Sequence, residues 1–249
     1  MCDTCGCSDS GVRVVRFPHR SGEAGHVHGH TAPARTVVLE EPILAKNDEL
    51  AARNRSWFEQ QGITAVNLMS SPGAGKTTLL VRTIEDLAVR GLRIGVVEGD
   101  QETLLDTERI SATGCDVVQI NTGAGCHLDA EMLASGVRSL DPAAGSVVFV
   151  ENVGNLVCPA LFDLGESARV VLMSVTEGED KPLKYPHMFR SADLVVLTKT
   201  DLLPYVEFDP GHCLAHARRV NPALGMIEVS ATRGRGLEAW YDWLAARRA

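Results

Sequence analysis

Three thiols lie within six positions in Met1-Cys2-Asp3-Thr4-Cys5-Gly6-Cys7, which holds three of the chain's seven cysteines. A chain tip has no core to join, so packing does not account for them, and three closely spaced thiolates can wrap one borderline or soft metal ion. An all-cysteine tetrahedral site needs a fourth thiolate, and the next one is Cys115. The α-amine can serve instead. Three sulfurs and one nitrogen suit Ni(II) at least as well as Zn(II). Further on, His26, His28 and His30 alternate with other residues. Extended, they could share a metal weakly, or they form an incidental cluster in a linker.

A second chemistry begins at Ser70-Ser71-Pro72-Gly73-Ala74-Gly75-Lys76-Thr77. A β-type run precedes it and a helical pattern follows, the Walker A layout. Gly73 and Gly75 let backbone N–H groups curl around an anionic phosphate at a helix start, so Gly73, Ala74, Gly75, Lys76, Thr77 and Thr78 are expected to bind nucleotide. Lys76 would reach the β/γ-phosphates and act in catalysis, and the Thr77 hydroxyl would ligate Mg2+. The first glycine of the usual pattern is Ser70 here. Acidic groups follow two further strands, in Glu98-Gly99-Asp100 and Glu151-Asn152-Val153-Gly154. At strand C-termini such groups serve Mg2+ and the attacking water, which makes Asp100 and Glu151 catalytic candidates. Asp100 could instead cap the next helix, and Glu151 could act directly or through water.

Base identity rests on Thr198-Lys199-Thr200-Asp201, an Asn-Lys-x-Asp-like guanine reader with Thr in place of Asn. The Asp201 carboxylate can accept from guanine N1–H and the exocyclic amine, a pair that adenine does not offer. Lys199 would lay its stem on the ring. Ser230 and Ala231, in Ser230-Ala231-Thr232, form the companion loop. A third group, Cys126 and His127 after one strand and Cys158 after another, supplies two sulfurs and one nitrogen. That is a metal set with an open fourth position, or an ordinary loop feature. Cys115 and Cys213 read as packed thiols, and His212 and His216 as a solvated helix face rather than a metal pair. Lys181 and Lys184 sit in a loop, free to touch phosphate or a partner.

These residues need a scaffold that gathers strand ends. Apolar β-type runs at 64–69, 93–97, 116–120, 146–150, 169–175, 193–197 and 226–229 alternate with helical stretches at 77–90, 103–113, 128–140, 212–220 and 237–247. Strands apolar on both faces and separated by helices predict a three-layer α/β P-loop NTPase domain with a mostly parallel sheet. A leading amphipathic helix is expected over 43–61, within a nucleotide-binding domain spanning 41–249. Before it come a metal motif at 1–7 and a flexible, Ser-, Gly-, Pro- and His-rich linker at 8–40. The net charge of −8, with basic residues scattered, argues against nucleic acid or an anionic membrane as partner. No apolar run reaches membrane-spanning length, and odd, unpaired cysteines fit a reducing cytoplasm.

Together the segments Cys2-x-x-Cys5-Gly6-Cys7, Ser70 to Thr77, Glu98-Gly99-Asp100, Gly125-Cys126-His127-Leu128-Asp129, Glu151 to Pro159 and Glu177 to Pro186 resemble the hydrogenase nickel-incorporation GTPase family, HypB. The resemblance implies a GTPase of the SRP/MinD-like class that dimerises with nucleotide and helps load nickel into nickel–iron hydrogenase. Implied cofactors are GTP, Mg2+, Ni2+ and Zn2+. Implied partners are a second copy of the chain, other hydrogenase maturation proteins and the hydrogenase large subunit. By motif match, Cys2, Cys5 and Cys7 correspond to the tight nickel site, and Cys126, His127 and Cys158 to the weaker Zn/Ni site. Turnover should be slow, on the order of 10⁻² to 10⁻⁴ per second without an arginine supplied in trans. The rival readings are a metallochaperone GTPase for urease or cobalamin enzymes, a small-molecule P-loop kinase, and a passive metal buffer. Changing Cys2, Cys5 and Cys7 together to Ser should leave fold and nucleotide hydrolysis intact and abolish the tight Ni(II) charge-transfer absorbance. In the unaltered protein that band should fade as pH falls, because only thiolates ligate.

Overall fold

The structure, a computed structural model, describes residues 40–100, 105–123 and 125–248. The expectations for Cys2, Cys5, Cys7, His26, His28 and His30, and for segments 1–7 and 8–39, lie outside those residues. Seven parallel strands form one sheet in the order β3-β2-β4-β1-β5-β6-β7. They are β1 (Thr64–Ser70), β2 (Ile94–Asp100), β3 (Asp116–Asn121), β4 (Val147–Glu151), β5 (Ala168–Ser174), β6 (Leu194–Thr198) and β7 (Gly225–Glu228). Every predicted strand is present within a residue or so of its expected limits, except that β2 runs three residues past its expected end, to Asp100. The order reverses direction around β1 and β4, and parallel sheets put ligand crevices outside the carboxyl ends at that point.

Strand periodicity sorts β1 onto both layers. Val66 and Leu68 pack with Leu79, Leu80 and Ile84 of α2 (Lys76–Val89), with Ile110 of α3 (Leu105–Ser111) and with Trp240 of α8 (Leu237–Ala245). Ala65 packs on the other face with Phe58 of α1 (Glu40–Gln61) and with Leu133 and Val137 of α4 (Ala130–Leu140). Met69 joins that face beside Met188 and Phe189 of α6 (Pro186–Arg190) and Cys213 and Ala217 of α7 (Pro210–Val220). Between β5 and α6 lies α5 (Lys181–Lys184), a single turn. Lys181 and Lys184 were expected in a loop. Pro182 and Pro186 open the two turns, and runs this short give no periodic signal.

α1 is held more by polar clamps than by an apolar stripe. Asn47 Nδ2 donates to Asp163 O at 2.7 Å, and Asn47 Oδ1 accepts from Ala130 N at 2.9 Å. Asn54 Nδ2 donates to Ala130 O and Leu164 O, and Arg55 engages both oxygens of Asp163 at 2.8 Å. This helix therefore grips the start of α4 and the loop before β5. Gly165 makes the approach possible: its φ is +83°, and an added Cβ would lie 2.3 Å from Ala51 O. Gly165→Ala should destabilise the fold by on the order of 3 kcal/mol, combining backbone strain with a clash against helix backbone. Gly91→Ala, at φ +79° with nothing within 4 Å, should lose only about 1 kcal/mol. Urea denaturation of the two variants measures the difference.

Candidate nucleotide and metal sites

The phosphate loop leaves β1 at Ser70 and enters α2 at Lys76, with Gly75 at φ 95° as the N-cap. The serine in the first-glycine position is fully buried, and its Oγ accepts from Lys76 Nζ at 3.0 Å while donating to Ser71 O at 2.6 Å. A cleft of about 480 Å³ opens over this loop, walled by Gly73, Lys76, Thr77, Asp100, Glu151 and Lys199 among others. Thr77 Oγ1 donates to Glu151 Oε1 at 2.7 Å. Glu151 ends β4, paired in register with Leu68 of β1 and Glu98 of β2, so two parallel neighbours fix its place. It is 4% exposed, and its Oε2 is buried without a partner. Burial pushes its carboxyl up to about 7, against the pull of Lys76 and the Thr77 hydrogen bond. Burial also lowers the Lys76 ammonium, opposed by Glu151 and by Asp106, Asp100 and Glu98.

Those features fit a bound Mg2+: a hydroxyl at Thr77, an orphaned carboxylate oxygen at Glu151, and Asp100 on the cleft wall. Asp100 O accepts from Thr122 N at 2.9 Å, which ties β2's end to the loop after β3. Glu98 is 2% exposed and receives the Thr107 hydroxyl, and burial raises its carboxyl.

Beside the phosphate cleft, a smaller cavity of about 240 Å³ is lined by Gly75, Thr198, Lys199, Asp201, Ala231 and Thr232, with Thr78 at its edge. Lys199, at φ 59°, turns the chain sharply after β6 and donates from Nζ to Gly73 O at 2.8 Å. Asp201 Oδ1 accepts from Ser230 Oγ at 2.5 Å, and that bond holds its carboxyl below the usual range. Ser230 is fully buried and bridges to Arg235, which shapes the companion loop.

The structure brings Cys126, His127 and Cys158 together, with their ligand atoms within 4.8 Å of one another; among the described residues it is the one such cluster of three. Cys126 Sγ lies 2.8 Å from Cys158 Sγ and 3.6 Å from His127 Nδ1. His127 is 5% exposed, and its ring lies 3.9 Å, centroid to centroid, from Phe162. Burial lowers its pKa, so the imidazole is neutral, the form that ligates. A donor set of two thiols and one neutral imidazole fits Zn(II) or Ni(II).

Among the described residues, Cys115 and Cys213 are packed as expected, whereas of the two histidines expected on a solvated helix face only His212 is exposed and His216 is half-buried. Cys115 donates to Ile94 O with its thiol pushed up to about 11, and buried Cys213 rests on Met173 with its thiol up to about 12. His216 meets Glu179 O at 3.0 Å, and His212 lies exposed beside Glu179.

Two groups at the cleft escaped the sequence reasoning. Asp106 and Arg109 wall the phosphate cleft from α3, where Arg109 Nη2 donates to Thr78 Oγ1 at 3.3 Å. Ser71 Oγ donates to Glu177 Oε2 at 2.6 Å, and Lys181 pairs with that carboxylate and reaches Ser71 Oγ at 3.2 Å. Lys181 thus touches the phosphate loop, while Lys184 pairs with Asp180 at 2.8 Å. The Glu177–Lys181 spacing of four was a signal, but only the fold puts Ser71 against it.

Because the folded protein holds the Glu151 proton to higher pH than the unfolded chain, that contribution is full below about 4.5 and is lost as pH rises through about 7. In nucleotide-free protein, Glu151→Gln should flatten this part of the stability–pH curve by on the order of 2 kcal/mol. Urea midpoints of both proteins from pH 4 to 8 measure it, and parallel curves would remove the burial argument.

A family model described as "CobW/HypB/UreG, nucleotide-binding domain" matches residues 64–228. A hydrogenase maturation factor HypB from Rhizobium leguminosarum bv. viciae is 58% identical over 93% of this chain and 78% of its own. The crystal structure of hydrogenase maturation factor HypB from Archaeoglobus fulgidus superposes with a TM-score of 0.76 at 41% identity, covering 83% of this chain and all of that one. HypB from Helicobacter pylori, solved in complex with nickel, also gives 0.76, at 35% identity over 82% of this chain and 95% of that one. Its fold, its phosphate loop and its sequence thus agree, and this chain belongs to the HypB family of hydrogenase maturation factors, nucleotide-binding proteins of the CobW/HypB/UreG class.

Proposed function

We propose that the chain is a slow GTPase whose nucleotide state governs dimerisation and the handling of nickel destined for a nickel–iron hydrogenase. Lys76 and the backbone of Gly73 to Thr78 hold the phosphates, and Asp201 with the Ser230–Ala231 loop selects guanine. Thr77 and the Glu151 carboxyl would hold Mg2+, which would supply positive charge to offset that of the phosphates. Asp100 and Glu151 face the γ-phosphate end and orient the attacking water.

The observation that carries this reading is the short segment from Glu151 to Cys158. Its first residue faces the phosphate cleft, and its last belongs to the metal trio. Between them, Asn152 Oδ1 accepts from Leu128 N at 3.1 Å, next to His127. A shift of Glu151 on γ-phosphate binding moves Cys158 relative to Cys126 and His127. Three ligands per chain leave a position that a second copy can complete, giving a two-fold, metal-bridged dimer. The nickel bound by the Helicobacter pylori relative supports nickel as the cargo. Cys2, Cys5 and Cys7 form a separate, tighter nickel site, and the recipients are other maturation proteins and the hydrogenase large subunit.

Linkage makes the coupling reciprocal, and typical coupling energies predict that Ni(II) or Zn(II) affinity at the trio differs by about 5- to 150-fold between nucleotide states. Metal titration with GDP and with a non-hydrolysable GTP analogue, followed by sedimentation, tests this. The analogue and metal together should shift the protein to dimer, and Cys126→Ala should lose only the metal-dependent part. Equal affinities in the two states would reduce the trio to a static structural site.

A further inference from the structure

Thr198 closes β6 at the position where an asparagine would stand in a guanine-reading loop. It is 4% exposed, and its Oγ1 donates to Ala74 O, in the phosphate loop, at 2.6 Å. The same hydroxyl lies 3.3 Å from Met173 O, so both of its neighbours are carbonyl acceptors. A hydroxyl has one proton to give, whereas a carboxamide has two. An asparagine could satisfy Ala74 O and still donate to a base. The threonine proton is spent on the loop.

Guanine presents N7 and O6 as acceptors along one edge and N1–H and N2–H as donors along the other. Lys199 Nζ is committed to Gly73 O at 2.8 Å, and Thr200 N to Val229 O at 3.2 Å. Asp201, held ionised by Ser230, accepts only. Thr232 stands beside Ser230, 3.4 Å from its Oγ, on the Asp201 side of the cavity. Thr78, shared with the phosphate cleft, accepts at Oγ1 from Arg109 Nη2 at 3.3 Å.

We infer that Thr198 is an anchor of the phosphate loop and not a reader of the base, so that the cavity selects guanine through its N1, N2 and O6 atoms and is indifferent to N7. This deepens the guanine assignment and rests on it. Thr198 acts through Ala74 and is a positioning residue: it joins the base side of the pocket to the phosphate side by one hydrogen bond. The ligand class is then guanine nucleotides including those with carbon in place of N7.

The test is competition of GTP, 7-deaza-GTP and ATP against a fluorescent guanine nucleotide on the full chain. 7-Deaza-GTP should bind within about threefold of GTP, while ATP competes far more weakly. A lost hydrogen bond to N7 would produce a gap of up to roughly tenfold. A 7-deaza penalty above threefold, with ATP still excluded, overturns this inference and leaves the guanine assignment standing. ATP competing as well as GTP overturns the guanine assignment and this inference with it. In Thr198→Val, GTP and 7-deaza-GTP should weaken by the same factor, because what is lost is the tether to Ala74. A loss confined to GTP would show that the hydroxyl had been reading N7. The wild-type comparison decides the matter even if that variant does not fold.

Discussion

A carboxyl group buried at the end of β4 sets the terms for the whole nucleotide cleft. Glu151 could not be held out of water without compensation, because an unpaired buried charge is among the most expensive features a fold can carry. Its compensation comes from the phosphate loop: the Thr77 hydroxyl bonds one oxygen and the Lys76 ammonium opposes its charge. Lys76 is itself desolvated and depends on the same acidic neighbours. The parallel register places Glu151 beside Leu68 and Glu98, and the phosphate loop then brings Thr77 and Lys76 to it. A phosphate-bound cation entering here meets a carboxylate oxygen that no protein donor has claimed.

The next residue carries that constraint outward. Asn152 is 1% exposed, and its amide N–H goes to Leu68 O at 3.1 Å. Its side-chain oxygen takes both Leu128 N and Val153 N, and its Nδ2 gives to Asn67 Oδ1. Asn67 in turn gives to Glu166, which Arg169 neutralises at 2.7 Å. Buried polar groups with all partners present specify one arrangement and resist small deformation. The loop holding His127 is thus registered against the strand end holding Glu151, and from its other side α1 fixes Ala130 through Asn47 and Asn54. Such a connection can transmit a displacement because it is stiff.

Much of this was legible in the sequence. Alternating apolar strands and helices gave all seven strands because both faces of a parallel sheet must be covered, which leaves runs such as 147–150 wholly apolar and 65–69 broken only by the buried Asn67. The phosphate loop, Asp201 and the Cys126, His127 and Cys158 set lie where strand-end reasoning puts them, since a parallel sheet gathers its carboxyl ends along one edge. What stayed hidden depends on contacts distant in sequence. Ser71 and Glu177 are 106 residues apart, and nothing local signals their hydrogen bond. Arg109 reaches the cleft only because α3 packs beside α2. Ser70, a departure in the motif, proved to be a small buried hydroxyl between Lys76 and the loop backbone, a contact a glycine could not make. Amphipathic patterning over 43–61 carries no sign of what Asn47 and Asn54 do, because their partners Ala130, Asp163 and Leu164 lie 76 to 116 residues away.

The metal trio follows a different physical logic from the nucleotide cleft. Its two sulfurs, 2.8 Å apart, come from two separate loops and form one compact donor set with the neighbouring imidazole. Burial lowers the His127 pKa and so favours the neutral imidazole, the form that ligates. Affinity at such a site is the difference between strong metal–sulfur bonds and the work of deprotonating and positioning two sulfurs, one on the β3–α4 loop and one at the turn Cys158–Ala160. A small change in the separation of those segments alters the second quantity and leaves the first largely intact. Val157 and Leu161, on either side of this turn, are 54% and 49% exposed, although Pro159 within it is buried. A metal held by one rigidly registered loop and one surface turn would leave more readily than one in a structural centre closed by four ligands on the same scaffold.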